Sequence, residues 1–432
     1  MPLPIPRRRF LKLGLATASV TTASLALPFL HGCNRKSQPH IVIVGGGFGG
    51  ASCARYLKQL NPHTRITLIE KERTIATCPF SNYVIAGFED IKTIQWSLDG
   101  LRPHGIAVVY DRATAIDIDN KRLFLQGNDP LRWDRLVLSP GVDMKWASID
   151  GYTPESAQRF PHAWKAGTQT VTLKKQLHAM RDGGTVVITA PPMPYRCPPA
   201  PYERASVIAW YLQRHKPRSK VLILDSKNSF TKKALFQEGW QKLYPNLIEW
   251  IPAEQGGHVT RIDPADGTVS NADGQRWRAD VLNIVPPQKA GAIATDAGLA
   301  PQDDWCQIHP VTFASLEAPD IHILGDSTVA GAMPKSAFAA NSQGKALAQA
   351  LDSLVRGKPA PYPLLMNTCY SLLAPDYGIS VAATYRSAHR AIVAVQGSGG
   401  LSPLAQNKQF RQKEADYARA WYTNMLDEIY GS

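Results

Sequence analysis

A glycine-rich turn between two short apolar runs most constrains the fold of this chain. Residues 40–44 (HIVIV) are a nearly continuous apolar run, too short for a helix, as is typical of a buried parallel strand. A helical pattern over residues 51–60 and a second strand at 65–69 follow, which predicts a βαβ unit. Such a turn brings backbone amides close to a pyrophosphate. The glycines that fit the pattern G-x-G-x-x-G are Gly45, Gly47 and Gly50.

An acidic residue stands where a dinucleotide-binding fold requires one. Glu70 directly follows the second strand, about twenty residues after the turn, and an acid at that place bonds the ribose hydroxyls. A glycine motif alone is also compatible with a tight structural turn. The combination of strand, glycines, helix, strand and acid favours a dinucleotide site instead.

A second nucleotide-type fold is predicted further along the chain, because 432 residues exceed one ordinary core. Its buried strands are expected at residues 184–189, 221–225 and 281–285. No glycine turn follows the first of them. Residues 190–201 (APPMPYRCPPAP) instead contain six prolines, which donate no amide hydrogen bonds to a pyrophosphate. We therefore expect that this fold has lost its NAD site.

The predicted fold class is α/β, with two dinucleotide-binding (Rossmann-type) domains and a C-terminal α+β interface domain. In the C-terminal domain, residues 378–385 are predicted to form a strand. A final helix is predicted to bury one face formed by Tyr417, Trp421, Met425 and Leu426. The predicted domains are residues 40–160 together with 286–360, residues 161–285, and residues 361–432.

The first 33 residues predict a twin-arginine signal peptide. An arginine run precedes Phe-Leu-Lys and a mostly apolar stretch that is too polar for a spanning helix. The segment that ends at Cys33 also matches a lipoprotein cleavage box, so lipid attachment at Cys33 and cleavage elsewhere both stay open. Both routes predict a periplasmic protein, with membrane association only if Cys33 carries a lipid.

The charge of the chain favours an acidic partner, an anionic membrane or an anionic substrate. Its net charge is +13, and removal of the four cations in residues 1–33 leaves +9. No nucleic-acid-binding module is present in the sequence. None of the 11 histidines lies at metal-ligand spacing from cysteines or acids, so no metal site is expected.

Several long motifs are spread over nearly the whole chain. Besides the glycine turn they are residues 78–82 (CPFSN), 196–198 (RCP) with 201–206 (PYERAS), 325–326 (GD) with 333–336 (MPKS), 341–345 (NSQGK) and 367–375 (NTCYSLLAP). This set resembles the flavoprotein subunit of flavocytochrome c sulfide dehydrogenase, within the sulfide:quinone reductase-like flavoprotein disulfide reductases.

The resemblance implies FAD as the cofactor and assigns roles to five residues. Asp326 is expected to bind the ribityl chain, and Cys78 to form a thioether with the flavin 8α-methyl. Cys197 and Cys369 are expected to form a redox-active disulfide beside the isoalloxazine. Lys335 is expected either to face the pyrimidine edge of the flavin or to lie on the protein surface.

A disulfide beside a flavin suits hydrosulfide as a substrate. This small, soft anion attacks one sulfur, leaving a persulfide there and a thiolate on the other, which then donates electrons to the flavin. The sequence leaves open whether Cys197 or Cys369 is attacked. Glu203 is predicted at the start of the next helix, where it fits two roles. It either moves a proton or tunes the thiolate, or it is a helix N-terminal acid stabilised by the dipole.

These features predict a sulfide dehydrogenase subunit that oxidises sulfide to sulfane sulfur or polysulfide. The chain has no Cys-x-x-Cys-His motif, so a separate c-type cytochrome subunit is expected as electron acceptor in a heterodimer. A sulfide:quinone reductase is the nearest alternative, but residues 411–419 are more charged than the apolar C-terminal segments of such enzymes. The prolines disfavour an NAD(P)H:disulfide reductase, and the cysteine pair disfavours a non-catalytic flavin-binding partner.

Overall fold

The computed structural model describes residues 38–301 and 304–431. The predicted signal peptide and Cys33 lie outside these residues. The described part is a mixed α/β structure built on parallel sheets, which confirms the predicted fold class. None of its helices is long and apolar enough to cross a membrane.

The first segment begins as the glycine pattern predicts, although helix α1 starts at Phe48 rather than at Ala51, because Gly49 and Gly50 already belong to the helix. Its strands are β1 (His40–Val44), β2 (Arg65–Glu70), β3 (Ile75–Ala76), β4 (Gln95–Trp96), β5 (Ala107–Tyr110), β6 (Ala113–Asp117), β7 (Arg122–Leu125), β8 (Leu131–Arg132), β9 (Arg135–Leu138) and β10 (Val142–Met144). Its helices are α1 (Phe48–Leu60), α2 (Ser81–Ala86) and α3 (Ser156–Arg159).

The middle segment alternates strands and helices, as expected for a second nucleotide-type fold. Its helices are α4 (Thr168–Ala179), α5 (Ala200–His215), α6 (Lys233–Leu243) and α7 (Ala292–Asp296). Its strands are β11 (Thr185–Ala190), β12 (Lys220–Asp225), β13 (Ile248–Ile251), β14 (Val259–Asp263), β15 (Thr268–Asn271), β16 (Arg276–Arg278), β17 (Val281–Ile284) and β18 (Gln288–Ala290).

The last segment returns to the first sheet and then forms a separate antiparallel sheet. Its strands are β19 (Ile321–Ile323), β20 (Leu364–Ala374), β21 (Tyr377–Ala388), β22 (Ala391–Ala394) and β23 (Gly400–Leu401). Its helices are α8 (Ala337–Val355) and α9 (Lys408–Tyr430). Short 3-10 turns occupy residues 91–94, 98–104, 146–148, 253–255 and 325–327.

Two parallel sheets form the framework of the described chain. The first has the order β19-β9-β1-β2-β5, so a strand from after the middle segment completes the sheet that begins at residue 40. The second has the order β13-β12-β11-β17. Strands β1 and β11 are central in their sheets and almost fully buried, which explains their continuous apolar sequences.

The C-terminal segment corrects two expectations. The segment around Cys369 is turn-like in sequence, since residues 367–371 (NTCYS) are mostly small and polar, but it lies in the middle of β20, which pairs antiparallel with β21. Polar residues on β20 mask its strand pattern, since buried Asn367 and Ser371 lie on a strand that also exposes Leu364. On α9, Tyr417 was expected on the buried face but is 58% exposed, while Tyr422 is buried instead.

Candidate functional site

A cavity of about 1130 Å³ lies at the carboxyl ends of β1, β2 and β9. Ligands of open α/β sheets bind at this edge. Its walls come from segments as distant as the glycine turn and the end of α9. The sequence-predicted residues that line it are Gly45, Gly47, Glu70, Cys78, Cys197, Glu203, Asp326 and Cys369.

The glycine turn has the backbone geometry that its sequence predicts. Gly45 has φ +99°, and a Cβ there would lie 2.3 Å from the carbonyl oxygen of Ser139. A Cβ on Gly50 would lie 2.0 Å from the carbonyl oxygen of Gly45, so this glycine permits close packing of α1 and does not line the cavity. Gly47 is the N-cap of α1 and faces open space, so the first amides of this helix have no side-chain cap. They are suited to a pyrophosphate.

Two acidic residues mark the ends of the cavity where hydroxyl groups of a dinucleotide would be bound. Glu70 ends β2, and its Oε2 accepts a 2.8 Å hydrogen bond from the amide of Gly46. The Oδ1 atom of Asp326 is buried and has no hydrogen-bond partner within the protein. Burial raises the pKa of Asp326, although Arg196, with Nε 4.0 Å from Oδ2, opposes this. A buried acceptor without a donor fits the hydroxyls of a ribityl chain, so the cavity suits FAD.

Lys335 does not line the cavity, so the structure does not support the expected position at the pyrimidine edge of the flavin. Its Nζ donates to the carbonyl oxygens of Asp326 (3.0 Å) and Thr328 (2.6 Å) and lies 3.7 Å from the ring centre of Trp305. Lys335 is half-buried, and burial lowers its pKa to about 8. Only its backbone reaches the site, because its carbonyl oxygen accepts a 2.8 Å hydrogen bond from the amide of Cys197.

Cys78 lies in the turn between β3 and α2 and lines the cavity. Its thiol donates a 3.4 Å hydrogen bond to the carbonyl oxygen of Trp164. Phe80, two residues later, has φ +69°, a left-handed conformation that is costly for an aromatic residue. Such strain persists where the surrounding structure over-determines the backbone, and here it orients the segment that presents Cys78.

Cys197 and Cys369 meet at the cavity. Cys197 lies in the proline-rich turn before α5 with φ +56°, and Cys369 lies on β20. Both are free thiols in this structure, and they are hydrogen-bonded to each other. This bond is the main cause of a large difference in their pKa values. The pKa of Cys369 is lowered to about 7, and that of Cys197 is raised well above its ordinary value.

Glu203 lies on the first turn of α5, beside the two thiols. Its carboxylate accepts hydrogen bonds from the Tyr83 hydroxyl (2.6 Å), the Asn82 amide (2.7 Å) and the Leu372 backbone amide (3.0 Å). Burial raises its pKa, and these three donors oppose the shift. Its donors come from α2 and β20 rather than from the amides of α5, so contacts outside its own helix hold this carboxylate.

Two buried cations near the site were not assigned a role from the sequence. Arg204 donates to Asn82 Oδ1, Asn283 Oδ1 and two backbone carbonyls, and burial lowers its pKa to about 10. Arg204 belongs to the motif at residues 201–206, and that motif was the only feature of the sequence that could have indicated its role. Lys232 contacts the strand that carries Cys369 and belongs to no motif. Only the tertiary structure places it at the site.

The acid at the end of β12 has partners within the protein. Asp225 is fully buried, and its Oδ2 accepts from the Tyr202 hydroxyl (2.5 Å) and from Trp250 Nε1 (2.9 Å). Its Oδ1 accepts from Lys227 Nζ at 2.6 Å. Side chains of the chain itself therefore bind both oxygens of the acid that a nicotinamide-binding fold would use for ribose. In the described ranges, no group of three or more His, Cys, Asp or Glu side chains is placed to hold a metal ion.

Comparisons with protein families match three parts of the chain. Residues 170–286 match the central domain of the sulfide dehydrogenase [flavocytochrome c] flavoprotein chain. Residues 361–430 match the flavin-binding domain of flavocytochrome c sulphide dehydrogenase. Residues 39–188 match the pyridine nucleotide-disulphide oxidoreductase family.

Individual relatives agree with these families. A sulfide dehydrogenase [flavocytochrome c] flavoprotein chain from Chlorobaculum thiosulfatiphilum is 57% identical over 44 residues, which cover 10% of this chain and 92% of that sequence. The mitochondrial sulfide:quinone oxidoreductase of Mus musculus is 20% identical over 338 residues, 75% of this chain and 73% of the relative. The structure of the sulfide:quinone oxidoreductase from Aquifex aeolicus has a similar fold, with a TM-score of 0.72 at 18% identity over 91% of both chains.

Proposed function

This chain belongs to the flavocytochrome c sulfide dehydrogenase and sulfide:quinone reductase-like flavoproteins, and from that premise we propose that it is a sulfide dehydrogenase flavoprotein subunit. It is an FAD-dependent oxidoreductase. In our proposal its substrate is hydrosulfide, its product is sulfane sulfur or polysulfide, and its electron acceptor is a c-type cytochrome subunit.

The meeting of Cys197 and Cys369 at the wall of the dinucleotide cavity is the observation that carries this proposal. Cys197 precedes α5 and Cys369 lies on β20, and the fold places both at the cavity wall, where their side chains interact. In our proposal these two neighbouring thiols are the reduced form of a disulfide. In the oxidised protein such a bond would face a substrate that enters the cavity.

The chain supplies the groups that sulfide oxidation by a disulfide requires. Hydrosulfide attacks one sulfur, so the S–S bond breaks, one cysteine becomes a persulfide and the other leaves as a thiolate. Glu203 lies beside both thiols and has a raised pKa, so we assign it the proton that the cysteines and the substrate exchange. Tyr83 and Asn82 hold its carboxylate in place.

FAD fits the rest of the cavity. The amides at the start of α1 would hold its pyrophosphate, Glu70 its adenosine ribose and Asp326 its ribityl chain. When bound, FAD accepts the electron pair of the thiolate and releases it as single electrons. Cys78 lines the same cavity, which supports our proposal that it attaches the flavin covalently.

We propose a cytochrome as the acceptor because single electrons need a one-electron partner and the chain has no haem-attachment motif. The name of the Chlorobaculum relative supports this partner. The names of the mouse and Aquifex relatives support quinone as the alternative acceptor. The twin-arginine pattern of residues 1–33 supports a periplasmic location.

An anaerobic titration of the purified flavoprotein tests the substrate. We expect hydrosulfide to bleach the flavin absorbance in the absence of any nicotinamide, and we expect Cys197→Ser to abolish the bleaching. Cys306→Ala is the matched control, because Cys306 is a buried thiol that does not line the cavity. Bleaching by NADPH and not by hydrosulfide would contradict the proposal.

The reduced protein then identifies the acceptor. We expect rapid reoxidation by added cytochrome c and slow reoxidation by a short-chain ubiquinone. The reverse order of rates would favour a sulfide:quinone reductase. If hydrosulfide bleaches the flavin but neither acceptor reoxidises it, the protein is still a sulfide-oxidising flavoprotein, and both assignments of the acceptor are rejected.

A further inference from the structure

A buried lysine lies next to one cysteine of the pair. Lys232 is 4% exposed and immediately precedes α6. Its Nζ donates to the carbonyl oxygen of Cys369 at 2.9 Å and to the hydroxyl of Ser371 at 2.8 Å. Both acceptors are neutral, and among the ion pairs of the described chain none involves Lys232. No carboxylate contacts this ammonium group directly, although the group is close enough to Glu203 to lower the pKa of that carboxyl.

The backbone fixes the position of this lysine. Lys232 has φ +67°, which is a strained conformation for a residue with a side chain. Its Nζ also lies 5.8 Å from the ring centre of Phe236 on α6. The second nucleotide-type domain thus extends one buried cation to β20, where it acts on Glu203 and on both thiols and favours an anion in its surroundings.

The surroundings of the two thiols are unequal. Lys232 is bonded to the backbone of Cys369, whereas the backbone amide of Cys197 is bonded to the carbonyl oxygen of Lys335. The other titratable groups that act on the pair are Glu203, which acts on both thiols, Tyr385 on the Cys369 side, and Tyr83, Tyr195 and Arg204 on the Cys197 side.

The balance of these groups favours an anion on Cys369. The hydrogen bond from Cys197 is the largest cause that lowers the pKa of Cys369, and Lys232 lowers it further, while burial and Glu203 oppose. For Cys197 the same hydrogen bond and burial raise the pKa. The charge of Lys232 lowers the pKa of both thiols. Only Cys369 is also hydrogen-bonded to Lys232, through its backbone carbonyl oxygen.

We propose that Lys232 is a positioning residue that sets the polarity of the cysteine pair, so that Cys369 leaves as the thiolate and Cys197 is the sulfur that hydrosulfide attacks. This inference rests on the proposed function, which it deepens by assigning the attacked sulfur. In the step, hydrosulfide forms an S–S bond to Cys197 while the Cys197–Cys369 bond breaks. The electron pair of the broken bond stays on Cys369, and the persulfide on Cys197 keeps the proton of hydrosulfide. A thiol of lower pKa leaves faster, so the stabilised thiolate determines the direction of attack.

The pH dependence of alkylation tests the role of Lys232 without sulfide. After anaerobic reduction of the holoprotein, iodoacetamide labelling followed by peptide mass spectrometry measures each thiol separately. We expect Cys369 to react at a lower pH than Cys197. Lys232→Met should raise the apparent pKa of Cys369 by about one unit, which lowers its thiolate fraction and its labelling at pH 7 roughly fivefold, and Lys232→Arg should restore both.

Lys233→Met is the matched control, because Lys233 is the next residue and its Nζ lies over Trp250, away from the cysteines. It removes the same charge and should leave both profiles unchanged. All three variants keep a side chain at their position, so none relieves the backbone strain. An unchanged Cys369 profile in folded Lys232→Met, or a lower apparent pKa for Cys197 than for Cys369 in the wild type, would overturn the proposal.

A trapping experiment on the oxidised wild-type protein identifies the attacked sulfur. A short anaerobic pulse of hydrosulfide followed by iodoacetamide should leave one additional sulfur atom on the Cys197 peptide and a simple alkyl group on Cys369. The additional sulfur on Cys369 would overturn the proposal. A parallel pulse of 2-mercaptoethanol separates the two hypotheses. If this thiol is captured on Cys197 while hydrosulfide opens nothing, the polarity holds and the proposed function fails.

Discussion

Replacement of Glu203 by glutamine separates its two roles, and the structure gives the cost. In Glu203→Gln one side-chain oxygen still accepts from the Tyr83 hydroxyl and the Leu372 amide. The new amide group meets the amide of Asn82, which cannot turn over because its Oδ1 accepts a 2.9 Å hydrogen bond from Arg204. One buried hydrogen bond is lost, so we expect a destabilisation of about 1–3 kcal/mol.

The pH dependence of stability follows from the raised pKa of Glu203. A carboxyl group with a higher pKa in the folded than in the unfolded state favours folding while it is protonated. That contribution is complete below the ordinary glutamate pKa and is lost as the pH rises through the raised value. The stability of the wild type relative to Glu203→Gln should therefore be greater at pH 4 than at pH 8, as urea unfolding at both values measures.

The catalytic consequence is larger than the loss of stability. If Glu203 moves a proton, Glu203→Gln should slow anaerobic bleaching of the flavin by hydrosulfide by about 10²–10⁴-fold in a stopped-flow experiment. Tyr83→Phe is the control, because it removes one hydrogen-bond donor and keeps the carboxylate. Bleaching by Glu203→Gln within about threefold of the wild-type rate would refute this reasoning, and Glu203 would then be a structural acid of its helix.

Three further changes test the binding of the flavin. Gly45→Ala should purify with little FAD, measured as flavin absorbance per protein. The new Cβ would lie 2.3 Å from the Ser139 carbonyl oxygen, and φ +99° is a strained conformation for alanine. Full loading with FAD would contradict the role of the turn. Cys78→Ala should release its flavin on acid precipitation while the wild type retains it, and release from both would exclude a covalent bond. Asp326→Ala should weaken reconstitution with FAD at least about tenfold, since one charged hydrogen bond contributes about 1.5–3 kcal/mol, and unchanged affinity would reject the ribityl assignment.

Local sequence patterns were sufficient to predict the nucleotide-binding framework. The turn at Gly45 and the acid at Glu70 have fixed spacing on adjacent elements, because an βαβ unit is a local structure. The gathering of Cys78, Cys197 and Cys369 is not local. It was expected only from the resemblance of long motifs to a family, and the structure brings these three side chains to one cavity.

What the sequence did not predict depends on contacts between distant segments. Lys232 acts on Cys369 through a tertiary contact, and no motif surrounds it. The motif that contains Lys335 left open a position at the flavin edge and one on the surface, and in the structure the carbonyl oxygens of Asp326 and Thr328 bind its ammonium group. Strand β20 was missed because its inward positions include polar residues, whose partners become visible only in the folded protein.

The end of α9 is attached to the glycine turn, and this has a thermodynamic consequence. The hydroxyl of Tyr430 donates a 3.1 Å hydrogen bond to the carbonyl oxygen of Gly46, and its ring lies 6.5 Å from that of Phe48. Cofactor retention and docking of this helix are therefore reciprocally coupled, so each strengthens the other by the same factor. Loss of cofactor should loosen a segment almost four hundred residues away in the chain, and cleavage of that segment by a protease should in turn release cofactor.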